Sequence, residues 1–410
     1  MKHTDNLAPV KSSERYIILD ALRGFALLGI CMANFPEFSL YTFLKAEVAA
    51  AFPSAGMDSI TRYLLYVFVD GKFYTLFSLL FGIGFSIIIS NAARKGANGF
   101  RIFYRRMFLL ACIGFLHLMF IWSGDILMLY ALLGMLLPLF RHASDRTLLV
   151  WAAALLLIPV GIDLACELCS VYPAQPVVSL QQYYCARYGI TSDNFAYWLR
   201  DAQDYQAVFQ FLIQGALVRV QEFIDGNRYF KVMGLFLIGF YIGRRKIYAS
   251  LEERKEWLQG LCRYGLLIGL PLSLVYAWSC QNGHPRGLTV HSLLYLVSVY
   301  PTGFAYAAGL CLLYLRWKKG ALWQPLAAPG RMALSSYIGQ SVIGMFLFYG
   351  IGLGWGAGIG LLQTEGIVLG VYLFQMLFCL GWLKFFRFGP LEWIWRMLTY
   401  GRWFSPFREK

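Results

Sequence analysis

The stretch Ile102 to Trp122, IFYRRMFLLACIGFLHLMFIW, decides the fold class. It carries Arg105 and Arg106 near its start and His117 further on, and is otherwise almost wholly apolar. A span needs about 20 such residues as helix, because the hydrocarbon core of a bilayer is roughly 30 Å thick. Runs of the same kind lie on either side: Tyr16 to Pro36, Phe73 to Ser90, Ile126 to Phe140, Thr147 to Cys166 and Phe230 to Ile242. Cys262 to Cys280, Val290 to Tyr314, Met332 to Leu353 and Gly366 to Phe386 complete the set. The fourth and sixth in chain order, Ile126 to Phe140 and Phe230 to Ile242, are short, and their ends extend into flanking residues. The expectation is an all-α, polytopic integral membrane helix bundle of about ten transmembrane helices.

Composition agrees. Of 410 residues, 59% are hydrophobic and 14% charged, whereas soluble domains carry roughly 25% charged residues. The net charge of +14 raises nucleic acid as a partner. The basic residues instead sit in short clusters between apolar runs, as membrane anchors do. The expected partner is therefore the lipid bilayer, with no nucleic acid. Most of the nine cysteines lie within apolar stretches, where they act as small hydrophobes. Cys166, Cys169 and Cys185 lie near a loop placed outside, where a disulfide is open as a reading and a zinc site among those three is not expected. The polar first fifteen residues, followed by a run containing Asp20 and Arg23, show no cleavable signal.

Charge orients the chain. Lys and Arg gather in the N-terminus, the segments near 91–106, 141–146, 244–263 and 316–331, and the chain from 384. The opposite loops hold only Lys45, Arg62, Arg187, Arg200, Arg219, Arg228 and Arg286. Positive residues collect on the cytoplasmic side, so both termini are expected there, in the inner (cytoplasmic) membrane of a bacterium. The organisation reads as a tail over 1–15, five membrane helices over 16–166, an outer loop over 167–228, five more helices over 229–388 and a basic, aromatic interfacial tail over 389–410. Phe195 to Phe223, mixing aromatic and charged residues, reads as amphipathic helix on the membrane or over a cavity mouth. No internal repeat is evident.

Ionisable residues inside spans are costly unless paired or hydrated, so each is a functional candidate. Asp20 and Arg23 share one face of the first span, and Asn34 falls close to that face at about 100° per residue. An ion pair that fixes packing is the plainer reading of Asp20 and Arg23. His117 follows Arg106 by eleven residues on nearly the same face, about 16 Å along the axis. A neutral imidazole beside a carboxylate can act as general base toward a hydroxyl or amine. A histidine hydrogen-bonded within the bundle is the plainer account, as helix capping is for Asp125. His291, at the outer start of the eighth span, is a further candidate or an interfacial residue. Ser336 and Gln340 share a face of the ninth span, with Arg331 at the membrane surface. The glycine-rich run from Gly350 to Gly360 lacks the Lys-Ser/Thr of a phosphate loop and follows no strand, so it reads as a flexible turn.

Leu19 to Gly24 with Asn34, Gly71 to Gly84, His117 with Gly124 to Ala131, Gly330 to Tyr337 and Gly389 to Arg396 together resemble the YeiB family of bacterial inner-membrane proteins, long labelled a domain of unknown function. The resemblance covers nearly the whole chain. That family is similar in turn to the heparan-α-glucosaminide N-acetyltransferase group and to bacterial membrane O-acyltransferases, which share an Asp-x-x-Arg-Gly-like start. The resemblance implies a bundle with a central cavity, a homodimer, and transfer of an acyl group from cytoplasmic acyl-CoA, a donor substrate and not a bound cofactor, to an envelope glycan or lipid acceptor. In that scheme Arg23, Arg105, Arg106 and Arg331 attract the donor's phosphates, arginine forks matching phosphate oxygens. His117 takes the acceptor's proton, aided by Asn34 or Asp125. Asp20, Ser336, Gln340 and His291 line the substrate path, and no metal takes part. Two other classes share these residues. One is a transporter or channel for a small amphipathic solute or lipid; the other is a non-catalytic scaffold or lipid sensor.

Overall fold

The computed structural model describes residues 16–94 and 98–408; the tail over 1–15 lies outside the described residues. Seventeen α-helices follow in order: α1 (Ile17–Phe38), α2 (Ala46–Ala50), α3 (Ala55–Phe68), α4 (Lys72–Arg94), α5 (Gly99–Phe120), α6 (Leu127–Gly134), α7 (Asp145–Cys169), α8 (Gln175–Tyr188) and α9 (Trp198–Asp201). The rest are α10 (Tyr205–Asp225), α11 (Arg228–Arg244), α12 (Lys255–Gln281), α13 (Gly287–Arg316), α14 (Trp323–Arg331), α15 (Ala333–Phe348), α16 (Leu361–Phe385) and α17 (Pro390–Tyr400). Among the described residues β pairing is limited to one isolated bridge, Phe386 to Phe407. Every predicted span overlaps a helix, although Ile126 to Phe140 is α6 followed by a short 3-10 segment and Met332 to Leu353 runs past the end of α15. In hydrocarbon a peptide group finds no water, and an α-helix satisfies its own backbone internally.

Among the described residues, eight segments are long and apolar enough to cross a membrane. Leu127–Phe140 and Ala333–Phe348 are apolar but shorter, and Tyr205–Asp225, read from sequence as part of an outer amphipathic segment, is long and apolar enough. Helix α11 has 17 residues and packs between α4 and α7. Val232–Leu237 and Phe240 are all buried, so its surroundings are protein and it need not read as a lipid-facing helix. Large apolar side chains such as Phe108, Leu157, Tyr264 and Phe374 are exposed on the outside of the bundle. A water-soluble surface does not present apolar residues on this scale; a bilayer covers them.

Close helix contacts use glycine. A Cβ at Gly24 would stand 1.8 Å from the Leu326 carbonyl oxygen, and one at Gly330 would stand 1.9 Å from that of Asp20. Helices α1 and α14 therefore touch backbone to backbone, as small residues permit in membranes. The segment between α7 and α11 holds α8, α9 and α10, with α10 packed on α8 and α5. Cys166, Cys169 and Cys185 are free thiols. Cys185 faces Gln181 and Gln214 instead. The glycine-rich run forms the turn between α15 and α16, tied to α9 by the Gly350 N–H donating to the Leu199 carbonyl at 2.8 Å.

Candidate functional site

Six segments meet at one end of the bundle around a cleft of about 720 Å³, within the range of roughly 300–1,000 Å³ common to small-molecule sites. The start of α1 brings Asp20 and Arg23, the end of α4 Arg94, the start of α5 Arg106, the segment after α11 Lys246, the α14–α15 junction Arg331, and α17 Glu392 and Arg396. Deeper in, Phe77, Phe81, Phe85, Phe103, Met107 and Leu110 make an apolar wall, and Tyr130 and Tyr337 also line it. A cationic mouth over an apolar interior suits an anionic amphiphile.

Local packing explains the mouth. Arg23 donates to Asp20 at 2.8 Å, one helical turn back on α1. The Arg106 guanidinium lies 3.8 Å over the Trp395 ring, a cation–π contact that holds α17 against α5. Glu392 crosses to the start of α15 and accepts from the backbone N–H groups of Leu334 (2.7 Å) and Ser335 (3.0 Å). Its second oxygen accepts from the Ser335 hydroxyl at 2.5 Å. A carboxylate at a helix N-terminus answers both the unsatisfied donors and the helix dipole.

Behind Tyr337 lies a second polar cluster. The His117 and Tyr337 rings are 5.2 Å apart. His117 Nδ1 meets Asp125 Oδ1 at 2.9 Å, and Nε2 meets Ser341 Oγ at 2.9 Å. The other Asp125 oxygen accepts from the Met128 N–H at 2.8 Å, capping α6 as the sequence suggested. All three residues are buried, and none of them lines the cleft. Carboxylate, imidazole and hydroxyl in line form the geometry by which a serine oxygen is activated.

The other predicted residues divide. Asp20, Arg23, Arg106 and Arg331 line the cleft; Arg105 is exposed beside Gly401 and does not. Ser336 is buried and donates to the Pro329 carbonyl at 3.3 Å, while Gln340 donates to Gln375 at 2.9 Å, so both serve helix packing. Asn34 is half-buried away from the cleft. His291 sits in another part of the molecule, stacked on Tyr276. The sequence alone marks neither Ser341 nor Glu392 as a site residue. Ser341 follows Gln340 on a span already marked as polar, which was the available signal.

Comparison with known proteins follows this geometry. The family described as "Protein of unknown function (DUF418)" matches residues 242–402. The chain is 30% identical over 414 residues to "Uncharacterized protein YxaH" of Bacillus subtilis, covering 99% of each chain. The chain belongs to the YeiB family. It is 28% identical to "Uncharacterized protein YeiB" of Escherichia coli, covering 94% of this chain and 96% of that one. It is also 31% identical to "Uncharacterized 39.9 kDa protein in amylase 3'region" of Bacillus acidopullulyticus, over 98% of this chain and 99% of the other. The similarity to these relatives thus extends over nearly the whole chain.

Proposed function

We propose that this YeiB-family chain is a membrane acyltransferase that takes an acyl-coenzyme A type donor into the basic cleft and passes its acyl group to an acceptor on the far side. The observation that carries the reading is the continuity from Arg-lined mouth to apolar wall to Tyr337, which packs on the imidazole of an Asp125–His117–Ser341 line. The reading takes ten crossings with both termini inside, so that the basic cleft faces the cytoplasm of a bacterial inner-membrane protein.

Arg23, Arg106, Arg331 and Arg396 bind the donor's phosphates by paired N–H donors, and the acyl chain lies along Phe81, Phe85 and Phe103. Tyr337 turns aside to admit the thioester. Ser341 Oγ then attacks its carbonyl carbon while His117 accepts the hydroxyl proton. The C–S bond breaks, an ester forms on Ser341, and the proton passes to the departing thiolate. An acceptor hydroxyl next attacks that ester, giving its proton to His117, which returns it to Ser341. Asp125 orients the imidazole and stabilises its charged form. In this scheme His117 serves the serine first and the acceptor second.

The test uses purified protein in detergent with radiolabelled acetyl- and palmitoyl-coenzyme A. The expected outcome is a hydroxylamine-sensitive label on the wild-type chain that Ser341→Ala abolishes while coenzyme A binding is retained. Arg23→Ala with Arg331→Ala should weaken binding by roughly tenfold or more, each charge-assisted contact being worth about 1.5–3 kcal/mol. Absence of both coenzyme A binding and label on the wild-type chain would overturn the proposal. A transporter is the second reading, favoured by the burial of His117, Asp125 and Ser341 out of contact with the cleft. Flux of an intact solute in proteoliposomes, without acylation, would establish it in place of the first.

A further inference from the structure

At the opposite end of the bundle, the hairpin from α12 to α13 brings Cys280, His284 and His291 together. One ligand atom from each, a sulfur and two ring nitrogens, lie within 4.8 Å of one another. The two imidazole rings stand 4.0 Å apart, centre to centre. All three residues are half-buried. Nδ1 of His284 and Nδ1 of His291 are both buried, and among the described residues neither has a hydrogen-bond partner. Two neighbouring imidazoles with stranded nitrogens are costly to a fold unless something else meets them. His284 also holds a left-handed φ of 58°, a conformation that non-glycine residues adopt mostly where their surroundings impose it.

We propose that Cys280, His284 and His291 form a zinc site with one coordination position left open. A thiolate and two imidazoles are the donor set that borderline-soft Zn2+ takes, and three protein ligands with an open fourth position characterise reactive zinc sites. Tetrahedral bonds of about 2.3 Å to sulfur and about 2.0–2.1 Å to nitrogen set the ligand atoms about 3.3–3.6 Å apart. The cluster therefore closes by roughly an ångström on binding, within reach of side-chain rotation. Zn2+ displaces the proton of the Cys280 thiol, which leaves to solvent, and the zinc–sulfur bond forms in its place.

The surroundings hold the ligands in position. Tyr276 stacks on His291 with ring centres 5.2 Å apart and donates its hydroxyl to Asp70 at 2.5 Å. The stack confines the His291 ring from one face, and the Asp70 bond fixes the Tyr276 ring that makes it. Two carboxylates of α7 secure the start of α13: Glu167 accepts from the Leu288 N–H and the Thr289 hydroxyl, and Asp163 from the Ser292 hydroxyl. Lys72 places its ammonium 5.2 Å over the Tyr276 ring and donates to the Tyr66 carbonyl at 2.7 Å. The site shares no residue with the basic cleft, so it stands apart from the acyl-transfer reading.

The experiment loads purified full-length protein in detergent with ZnSO4, removes free metal, and measures zinc content and the zinc K-edge absorption spectrum. The expected result is about one zinc per chain with a sulfur scatterer near 2.3 Å. Loading with Co2+ instead should produce a thiolate-to-cobalt charge-transfer band and intense tetrahedral d–d bands. Cys280→Ser should remove the sulfur scatterer, and His284→Ala with His291→Ala should weaken zinc binding by more than the roughly hundredfold that loss of an outer-shell partner can cost. Spectroscopy on the wild-type chain decides the matter even if a variant fails to fold. Zinc bound with no sulfur neighbour, or no binding by wild-type protein that is monodisperse on size exclusion, would overturn the proposal.

Discussion

Asp125, His117 and Ser341 come from a loop and two helices, with 224 residues between the imidazole and the hydroxyl. Removing Asp125 or Ser341 leaves one imidazole nitrogen of His117 unpaired, and a buried polar group left unpaired costs about 1–3 kcal/mol. Ser341→Ala should therefore lower stability modestly, by about 1 kcal/mol. Asp125→Ala, which also uncaps α6, should cost about 2–4 kcal/mol. Thermal unfolding in one detergent would measure both, and equal costs would show that the cap at Met128 contributes nothing. A different residue pair reports on pH. Lys45 and Asp193 meet at 2.6 Å in the outer segments. The bond to Asp193 raises the ammonium pKa, and the bond to Lys45 lowers that of the carboxylate. The depressed carboxylate pKa makes the tie present above the ordinary Asp value and lost as pH falls through the folded one. The raised ammonium pKa makes it present below the ordinary Lys value and lost as pH rises through the folded one. Protection of the Ala46–Ala50 amides against hydrogen exchange, taken relative to their intrinsic rates, should accordingly fall below the ordinary carboxylate range, about pH 4. Asp193→Asn should show that lower protection already at neutral pH.

Helix contacts set a second group of expectations. The α1–α14 contact leaves no room for a methyl group at Gly24 or Gly330. Alanine at either position should cost about 1–3 kcal/mol by forcing the helices apart. The two together should cost less than their sum, since both relieve one contact. Gly370→Ala, with open space around its Cβ direction, is the control and should leave the unfolding midpoint unchanged or slightly higher. Because Asp20, Arg23 and Arg331 ride on these segments, the same substitutions should also widen the cleft mouth. Glu392→Ala should cost about 1–3 kcal/mol by freeing the two backbone donors at the start of α15. Proteolytic nicking between α16 and α17 would be the more sensitive readout.

For the whole molecule, the cleft residues sit at the starts of α1 and α5 and the ends of α4 and α14, so one end of the bundle gathers the positive charge. Inward placement of that end can be checked with single-cysteine variants in intact cells. Cys169, exposed at the far end of α7, should react with a membrane-impermeant maleimide. Cys112, exposed part-way along α5, should be shielded by lipid. Reaction of Cys169 only after permeabilisation would reverse the orientation and with it the cytoplasmic donor.

Helical class, the order of the apolar segments, and the gathering of arginines toward one side were legible in the residues alone. The reason is that hydrocarbon acts on each stretch separately: a run either tolerates lipid or does not, whatever its neighbours. Helix α11 and Tyr205–Asp225 were the segments where that logic blurred, because burial in protein relaxes the demand for apolarity along one and the other carries Arg219, Glu222 and several glutamines among its apolar residues. Which polar residues meet was decided only in three dimensions. Asp20 with Arg23 follows from one helical turn, but His117 with Ser341, Glu392 with the start of α15, and His291 with Cys280 depend on how helices dock. Between helices in lipid, docking rests on close packing and hydrogen bonds rather than on apolarity, and neither leaves a periodic trace in the chain.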